Sequence, residues 1–97
     1  PSNAALPVTQ VQLDKKSVTL KAGKSDTVTI ANGAPGLMNI SLSAKLPGVE
    51  GKLDHTSLKA GEKATLTLRA GKNAKPGILN VVVQQTGQFL PIQINVK

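Results

Sequence analysis

The single histidine of the chain, His55, stands in the run Asp54-His55-Thr56-Ser57, where a carboxylate, an imidazole and two hydroxyls follow one another. Those are the side chains of a proton relay to a nucleophile. In an extended chain, however, neighbouring side chains point to opposite faces, so neither Asp54 nor Thr56 lines up with the ring. No glycine-rich elbow or oxyanion loop accompanies a nucleophile either. The spacing therefore assigns no catalytic residue. One histidine without cysteine falls short of a zinc ligand set. The five acids, Asp14, Asp26, Glu50, Asp54 and Glu62, are scattered and lack calcium-loop spacing. Neither a metal nor a cofactor is expected, and without cysteine the redox compartment leaves no mark on the sequence.

Charge offers more chemistry. Twelve Lys and Arg against five Asp and Glu give a net charge of +7, a balance suited to an anionic polysaccharide, nucleic acid or an anionic surface. All of the cations except Arg69 are lysines, whereas readers of nucleic-acid grooves rely on bidentate arginine, so no specific nucleic acid is expected. Phe89 is the one aromatic residue. Without Trp or Tyr the chain lacks the flat rings on which sugars and unpaired bases stack.

Period-two alternation sets out the strands that carry these residues. Leu6, Val8, Val11 and Leu13 change parity, which predicts an edge strand A with a bulge near Thr9-Gln10. Val18 and Leu20 then face inward in A′, and Val28 and Ile30 in B. Met38, Ile40, Leu42 and Ala44 form the inner face of C, and Val49 to Leu58 hold a weakly patterned D. Ala64, Leu66 and Leu68 line E, Ile78 to Gln85 make F, and a strand G follows Thr86-Gly87. If those two residues are the whole hairpin loop, Val83 faces Leu90, Val81 faces Ile92 and Leu79 faces Ile94. On the other face Gln84 would meet Phe89, Val82 would meet Pro91, Asn80 would meet Gln93 and Ile78 would meet Asn95. No segment has helical spacing with caps, so the expected fold is all-β: a seven-stranded antiparallel β-sandwich, A-B-E-D against C-F-G, essentially without helix. Ser2-Asn3-Ala4 reads as a tag remnant, which leaves residues 5–97 as a single domain. No run approaches the ~18 apolar residues of a membrane span, so the chain is not expected to cross a membrane.

Two stretches match across the halves: Leu20-Lys21-Ala22-Gly23-Lys24 returns as Leu58-Lys59-Ala60-Gly61-Glu62, preceded by Leu13-Asp14 and Leu53-Asp54. Each copy predicts a turn between strands, with Gly23 and Gly61 at positive φ. The first turns A′ into B and the second D into E, so they fall at opposite poles.

On the same topology Lys21, Lys24, Lys45, Lys52, Lys72 and Lys75, with Arg69 and the terminal Lys97 nearby, collect at one pole. That pole is a candidate contact for a polyanion or a partner; the alternative is that lysines sit in loops because loops are wet. Ile78, Val82, Phe89 and Pro91 would form an apolar stripe on the outer face of F and G, a candidate interface or a stripe partly covered by loops. Pro91 also blunts G as a pairing edge.

The run Leu13-Asp14-Lys15-Lys16-Ser17-Val18-Thr19-Leu20-Lys21-Ala22-Gly23 resembles the opening of bacterial immunoglobulin-like domains of invasin-type and other surface proteins. Leu46-Pro47-Gly48-Val49, Leu58-Lys59-Ala60-Gly61-Glu62 and Ala74-Lys75-Pro76-Gly77 are similar to Ig-like modules appended to secreted bacterial enzymes and large surface proteins. The Trp-Ser-Ser segment and the Gly-Thr-Ala repeat of the invasin type are missing, as are the core Trp and Tyr of fibronectin type III domains. The resemblance implies an extracellular, cell-surface or periplasmic location and a non-catalytic spacer, domain-docking or adhesion unit, with neighbouring domains of the same chain as partners. It transfers no site residue. The alternatives are a binding module for an anionic polysaccharide or surface, and an accessory domain of an extracellular enzyme.

Overall fold

Alternation of inward and outward side chains governs every long strand. In the computed structural model, which describes residues 11–43 and 46–97, the strands are β1 (Val11–Leu13), β2 (Ser17–Leu20), β3 (Ser25–Asn32), β4 (Met38–Ser43), β5 (Val49–Leu53), β6 (Ser57–Leu58), β7 (Lys63–Ala70), β8 (Gly77–Val83) and β9 (Gln88–Val96). No helix occurs among the described residues. One sheet has the order β1-β3-β7-β5 and the other β2-β9-β8-β4-β6. The expected bulge at Thr9-Gln10 and the inner position of Ala44 lie outside the described residues.

Val28, Ile30, Leu66 and Leu68 from the first sheet and Leu20, Ile40, Val81, Val83, Ile92 and Ile94 from the second join one hydrophobic cluster. Aliphatic and β-branched chains fit the pleated surface, and burying each Val, Leu or Ile contributes about 1.5–3 kcal/mol.

The strand count differs from the expected seven: nine strands are present among the described residues. β2 leaves the first sheet and runs parallel to β9. The segment expected as one strand D is two, β5 against β7 and the short β6 against the start of β4. Both changes happen at an aspartate. Asp14 follows β1, donates its N–H to the Thr29 carbonyl at 3.0 Å and accepts the Thr29 N–H on Oδ1 at 2.8 Å. Asp54 follows β5 and makes the same pair with Thr65, at 3.1 and 2.7 Å. In each case the carboxylate takes the ladder bond that the residue's own carbonyl would accept. The backbone is thereby released to cross to the other sheet without leaving the threonine N–H unpaired.

The repeated turns close alike. Lys24 N–H bonds the Lys21 carbonyl at 2.9 Å and Glu62 N–H the Lys59 carbonyl at 3.0 Å. Gly23 and Gly61 occupy the third position at φ 78° and 81°, as a type II turn requires. Ser25 lies opposite Arg69 and Ala31 opposite Lys63, so the two turns stand at opposite ends of β3.

The β8–β9 hairpin corrects the expected pairing by two residues: Val83 lies opposite Gln88, Val82 opposite Phe89, Asn80 opposite Pro91 and Ile78 opposite Gln93. The cause is the loop. Gln84 donates its N–H to the Asn39 carbonyl at 2.9 Å, and Gln85 accepts the Asn39 N–H on Oε1 at 2.8 Å, so both glutamines belong to the turn. Gly87 at φ 69° closes it with a bond to the Val83 carbonyl at 2.8 Å. A shift of two keeps every side chain on its face.

Candidate functional site

His55 sits at the corner between β5 and β6, exposed. Its Nε2 lies 3.9 Å from Asp54 Oδ2, with the two side chains 63% and 51% accessible. Asp54 Oδ1 is engaged by the Thr65 N–H, and the Ser57 hydroxyl donates to Asn39 Oδ1 at 2.5 Å. Acid and hydroxyl are thus each engaged by a different local structure, and the imidazole keeps only the long contact to Asp54. Among the described residues no three His, Cys, Asp or Glu side chains come together as a metal ligand group. No helix there is long and apolar enough to cross a membrane.

The lysine-rich pole is built by backbone bonds between segments far apart in sequence. The β2–β3 turn meets the end of β7 through Gly23 N–H to the Ala70 carbonyl (2.7 Å) and Ala70 N–H to the Lys24 carbonyl (3.3 Å). Gly71 N–H reaches the Gly48 carbonyl at 2.7 Å, drawing in the loop before β5, and Lys97 N–H reaches the Leu20 carbonyl at 2.9 Å. Lys21, Lys24, Arg69, Lys72, Lys75 and Lys97 therefore share one end of the molecule, all exposed. Lys52 does not: it is within β5 opposite Thr67, on the outer face of the first sheet. Lys45 lies outside the described residues. Glu50 is placed opposite Arg69 and is the acid of β5. None of the pole's cations forms an ion pair with a described residue, whereas Lys15 contacts Asp26 at 3.2 Å. Asp26 is held below the ordinary carboxylate pKa of 3.8, first by the Thr27 N–H and then by the Lys15 ammonium, with slight burial opposing.

Of the expected apolar stripe, Ile78 and Phe89 are 51% and 56% exposed, Pro91 is exposed and Val82 half-buried. Val82 stands directly opposite Phe89, and Pro91 opposite Asn80. Around them the outward positions of the same sheet are Ser17, Thr19, Asn39, Ser41, Ser43, Asn80, Gln93 and Asn95.

Two features leave little trace in the sequence pattern. Beside this face lies a cleft of about 420 Å³ between β1 and the first half of β9, lined by Gln12, Leu13, Lys16, Gln88, Leu90 and Pro91. It opens because β2 covers β9 only from Gln93 onward, a consequence of the crossover that the repeated Leu-Asp pair marks. The second is Asn32, 1% exposed. Its Nδ2 donates to the carbonyls of Leu58 (2.8 Å), Gly36 (2.9 Å) and Lys59 (3.2 Å), and its Oδ1 accepts the Ala34 N–H (2.9 Å). Its place at the head of the Gly-Pro-rich loop is the available signal.

No family model matches the sequence, and no curated protein is significantly similar to it. Solved structures are similar in fold. A protein of unknown function from Porphyromonas gingivalis aligns over 96% of this chain with a TM-score of 0.76 and 14% identity. This chain spans half the length of that protein, 50%. The ASH/PapD-like domain of human CEP192 aligns over 99% of this chain and 93% of its own, with a TM-score of 0.64 and 14% identity. A GH5 xyloglucanase from Bacteroides ovatus aligns over 90% of this chain but 18% of its own, at 0.58 and 19%. At such identities the likeness is one of architecture, the Ig-like arrangement that PapD shares.

Proposed function

We propose that the chain is a non-catalytic Ig-like module of a secreted or surface-anchored bacterial protein, serving as a spacer, domain-docking or adhesion unit outside the cytoplasm. The observation that carries this is the use of the reactive side chains. Asp14, Asp54 and Ser57 are committed to corners and strand edges, and His55 is left with a single long contact to Asp54. The architecture also occurs as half of one bacterial chain and 18% of another, as expected of a module carried within longer proteins. The experiment is a turnover screen of the purified protein against ester, peptide and glycoside substrates, with His55→Ala beside it. No turnover is expected; a reproducible activity lost in His55→Ala would overturn the assignment.

The convergence of four segments on the lysine-rich pole favours a second reading, a contact for an anionic polysaccharide or surface. Six cations at one end, none ion-paired with a described residue, create a local field that a polyanion would neutralise. Binding to a sulfated polysaccharide should weaken steeply between about 50 and 500 mM salt and in Lys72→Glu/Lys75→Glu. Salt-independent binding would refute a role for this pole. The match within the xyloglucanase favours a third role, an accessory domain beside a catalytic one.

A further inference from the structure

Asn32 and Gly33 form the chain's single Asn-Gly step; Asn3, Asn39, Asn73, Asn80 and Asn95 precede alanine, isoleucine or valine. Such a step has a chemistry of its own. Once a base has taken its proton, the Gly33 nitrogen attacks the side-chain carbon Cγ of Asn32. The Cγ–Nδ2 bond breaks, Nδ2 takes up a proton and leaves as ammonia, and a five-membered imide remains. Water then opens the imide at either carbonyl. The product is an aspartyl residue, or an isoaspartyl one whose main chain runs through the side-chain carbons. Glycine favours the attack because no Cβ shields its nitrogen or restricts the backbone that bends into the ring. The β-branched residues after Asn39, Asn80 and Asn95 oppose it. We propose that Asn32-Gly33 is a deamidation site that folding closes and unfolding opens, so that a chain held unfolded is marked by a product its own structure rejects.

The folded protein blocks the reaction at ring closure and at the leaving group. Gly33 is exposed, so base reaches its N–H. The side chain that it must attack is 1% exposed and cannot swing toward it without giving up every bond it makes. Oδ1 is held by the Ala34 N–H at 2.9 Å. Nδ2 meets the carbonyls of Leu58, Gly36 and Lys59, three acceptors with no proton to give to a departing amine. The peptide plane between Asn32 and Gly33, which ring closure must turn, is pinned by the Gly61 N–H on the Asn32 carbonyl at 2.8 Å. The same contacts exclude the products. An aspartyl oxygen would stand against the three carbonyls in place of the donor. An isoaspartyl residue would add a carbon to the main chain between the N–H that bonds Glu62 and the C=O that bonds Gly61.

Mass spectrometry of the intact chain, aged at about pH 8 in buffer and in guanidinium chloride beyond its unfolding midpoint, tests this. A proteolytic fragment of residues 25–45 holds Asn32 and Asn39 together, so one spectrum compares them. In denaturant Asn32 should be modified ahead of Asn39 and of Asn73, and Gly33→Ala should slow it several-fold, a comparison that needs no folded variant. In buffer the modification should be at least about a hundredfold slower, because unfolded fractions are on the order of 10⁻³ or less and local opening adds only part of the remainder. When aged chain is returned to a denaturant concentration just below the midpoint, the fraction that regains the native far-ultraviolet circular dichroism should fall in step with the fraction modified at position 32. Chain denatured only briefly is the reference. Equal rates in buffer and denaturant would overturn the protection. Modification of Asn39 or Asn73 ahead of Asn32 would overturn the site, and modified chain that refolds as well as the reference would overturn the rejection of the product.

Discussion

Replacing the Asn32 amide nitrogen with oxygen, Asn32→Asp, should convert a structural knot into a pH-dependent weakness. In the native protein Nδ2 donates to three carbonyls, those of Leu58, Gly36 and Lys59, from a residue that is 1% exposed. The ionised carboxylate of the variant would set an oxygen against all of them. Gly36 and Lys59 are exposed, and the Lys59 carbonyl still accepts the Glu62 N–H, but the contact with the Leu58 carbonyl is buried. One buried acceptor left unpaired costs about 1–3 kcal/mol. The charge itself, confined without a cation, brings the expected loss to roughly 3–5 kcal/mol near neutral pH. Protonation restores one donor, so the folded-state pKa of the new carboxyl must lie above its unfolded value of about 3.9. A raised folded pKa means that the unfolded chain binds fewer protons between the two values. Stability then falls as pH rises, by up to about 1.4 kcal/mol per unit, until the folded pKa is passed. Urea denaturation of wild type and variant, followed by far-ultraviolet circular dichroism between about pH 4.5 and 7.5, measures the gap. It should widen with pH. Asn32→Ala, which creates no charge, should cost about 2–3 kcal/mol at every pH. A gap in Asn32→Asp below about 1 kcal/mol, or one flat across that range, would refute the reasoning.

Gly48 has φ 76°, and a Cβ there would lie 2.6 Å from Ala74 Cα and 2.7 Å from its N, so Gly48→Ala should cost about 3 kcal/mol or more. Gly61→Ala, at φ 81° with nothing within 4 Å, should cost only the left-handed penalty of about 1–2 kcal/mol; equal losses in denaturant titration would contradict the close approach. Asp14→Ala and Asp54→Ala should each cost about 1 kcal/mol, and because the threonines they hold, Thr29 and Thr65, lie directly opposite each other on β3 and β7, the double variant should depart from additivity. A strictly additive cycle would show that the corners are independent. Asp26, with its pKa depressed below 3.8, contributes stability that is present above the unfolded pKa and lost as pH falls through the lower folded value. Lys15→Met should move the Asp26 titration, followed by carboxyl NMR, to higher pH; an unmoved titration would show that Lys15 plays no part.

What the sequence makes legible is what period two encodes. Val28, Ile30, Leu66, Leu68, Val81, Val83, Ile92 and Ile94 are inward because each stands in an alternating run. Registers decided by distant residues are not legible. The β8–β9 loop is set by the bond from Asn39 to Gln85, 46 positions away, and the faces survive a shift of two. β5 reads as weakly patterned because its central inward position is Gly51. A Cβ at Gly51 would come within 2.9 Å of Leu42 Cδ1, so the facing leucine fills the space that an apolar side chain would have signalled. Lys52, without that signal beside it, reads as a loop residue although it belongs to a strand. The lysines of the pole are legible because turns announce themselves by glycine and proline, and the pole is made of turns. The outer face of β8 and β9 is half legible: Ile78, Val82, Phe89 and Pro91 alternate correctly, but which of them are neighbours depends on the hairpin register, which shifts by two.

The repeated Leu-Asp and Lys-Ala-Gly segments are best understood as one device used twice, each copy bracing the other half of the molecule. The turn of the first half rests on the end of β7: Gly23 N–H to the Ala70 carbonyl, Ala70 N–H to the Lys24 carbonyl. The turn of the second half rests on the end of β3: Gly61 N–H to the Asn32 carbonyl, Asn32 N–H to the Glu62 carbonyl, at 2.8 and 2.9 Å. Ala70 and Asn32 are therefore equivalent positions, each the last residue of an eight-residue central strand. They differ because the loops they lead into differ. After Asn32 the chain enters the Gly33 to Leu37 loop, whose Ala34 N–H and Gly36 carbonyl are paired by the Asn32 side chain. After Ala70 the Gly71 N–H is paired by the Gly48 backbone instead. Each crossing aspartate frees its chain to reach the second sheet, and the next turn returns it to the first, locked to the opposite half. The halves are thus closed on each other by backbone bonds at both poles, and the outer face of β2-β9-β8-β4 is left with no part in that closure.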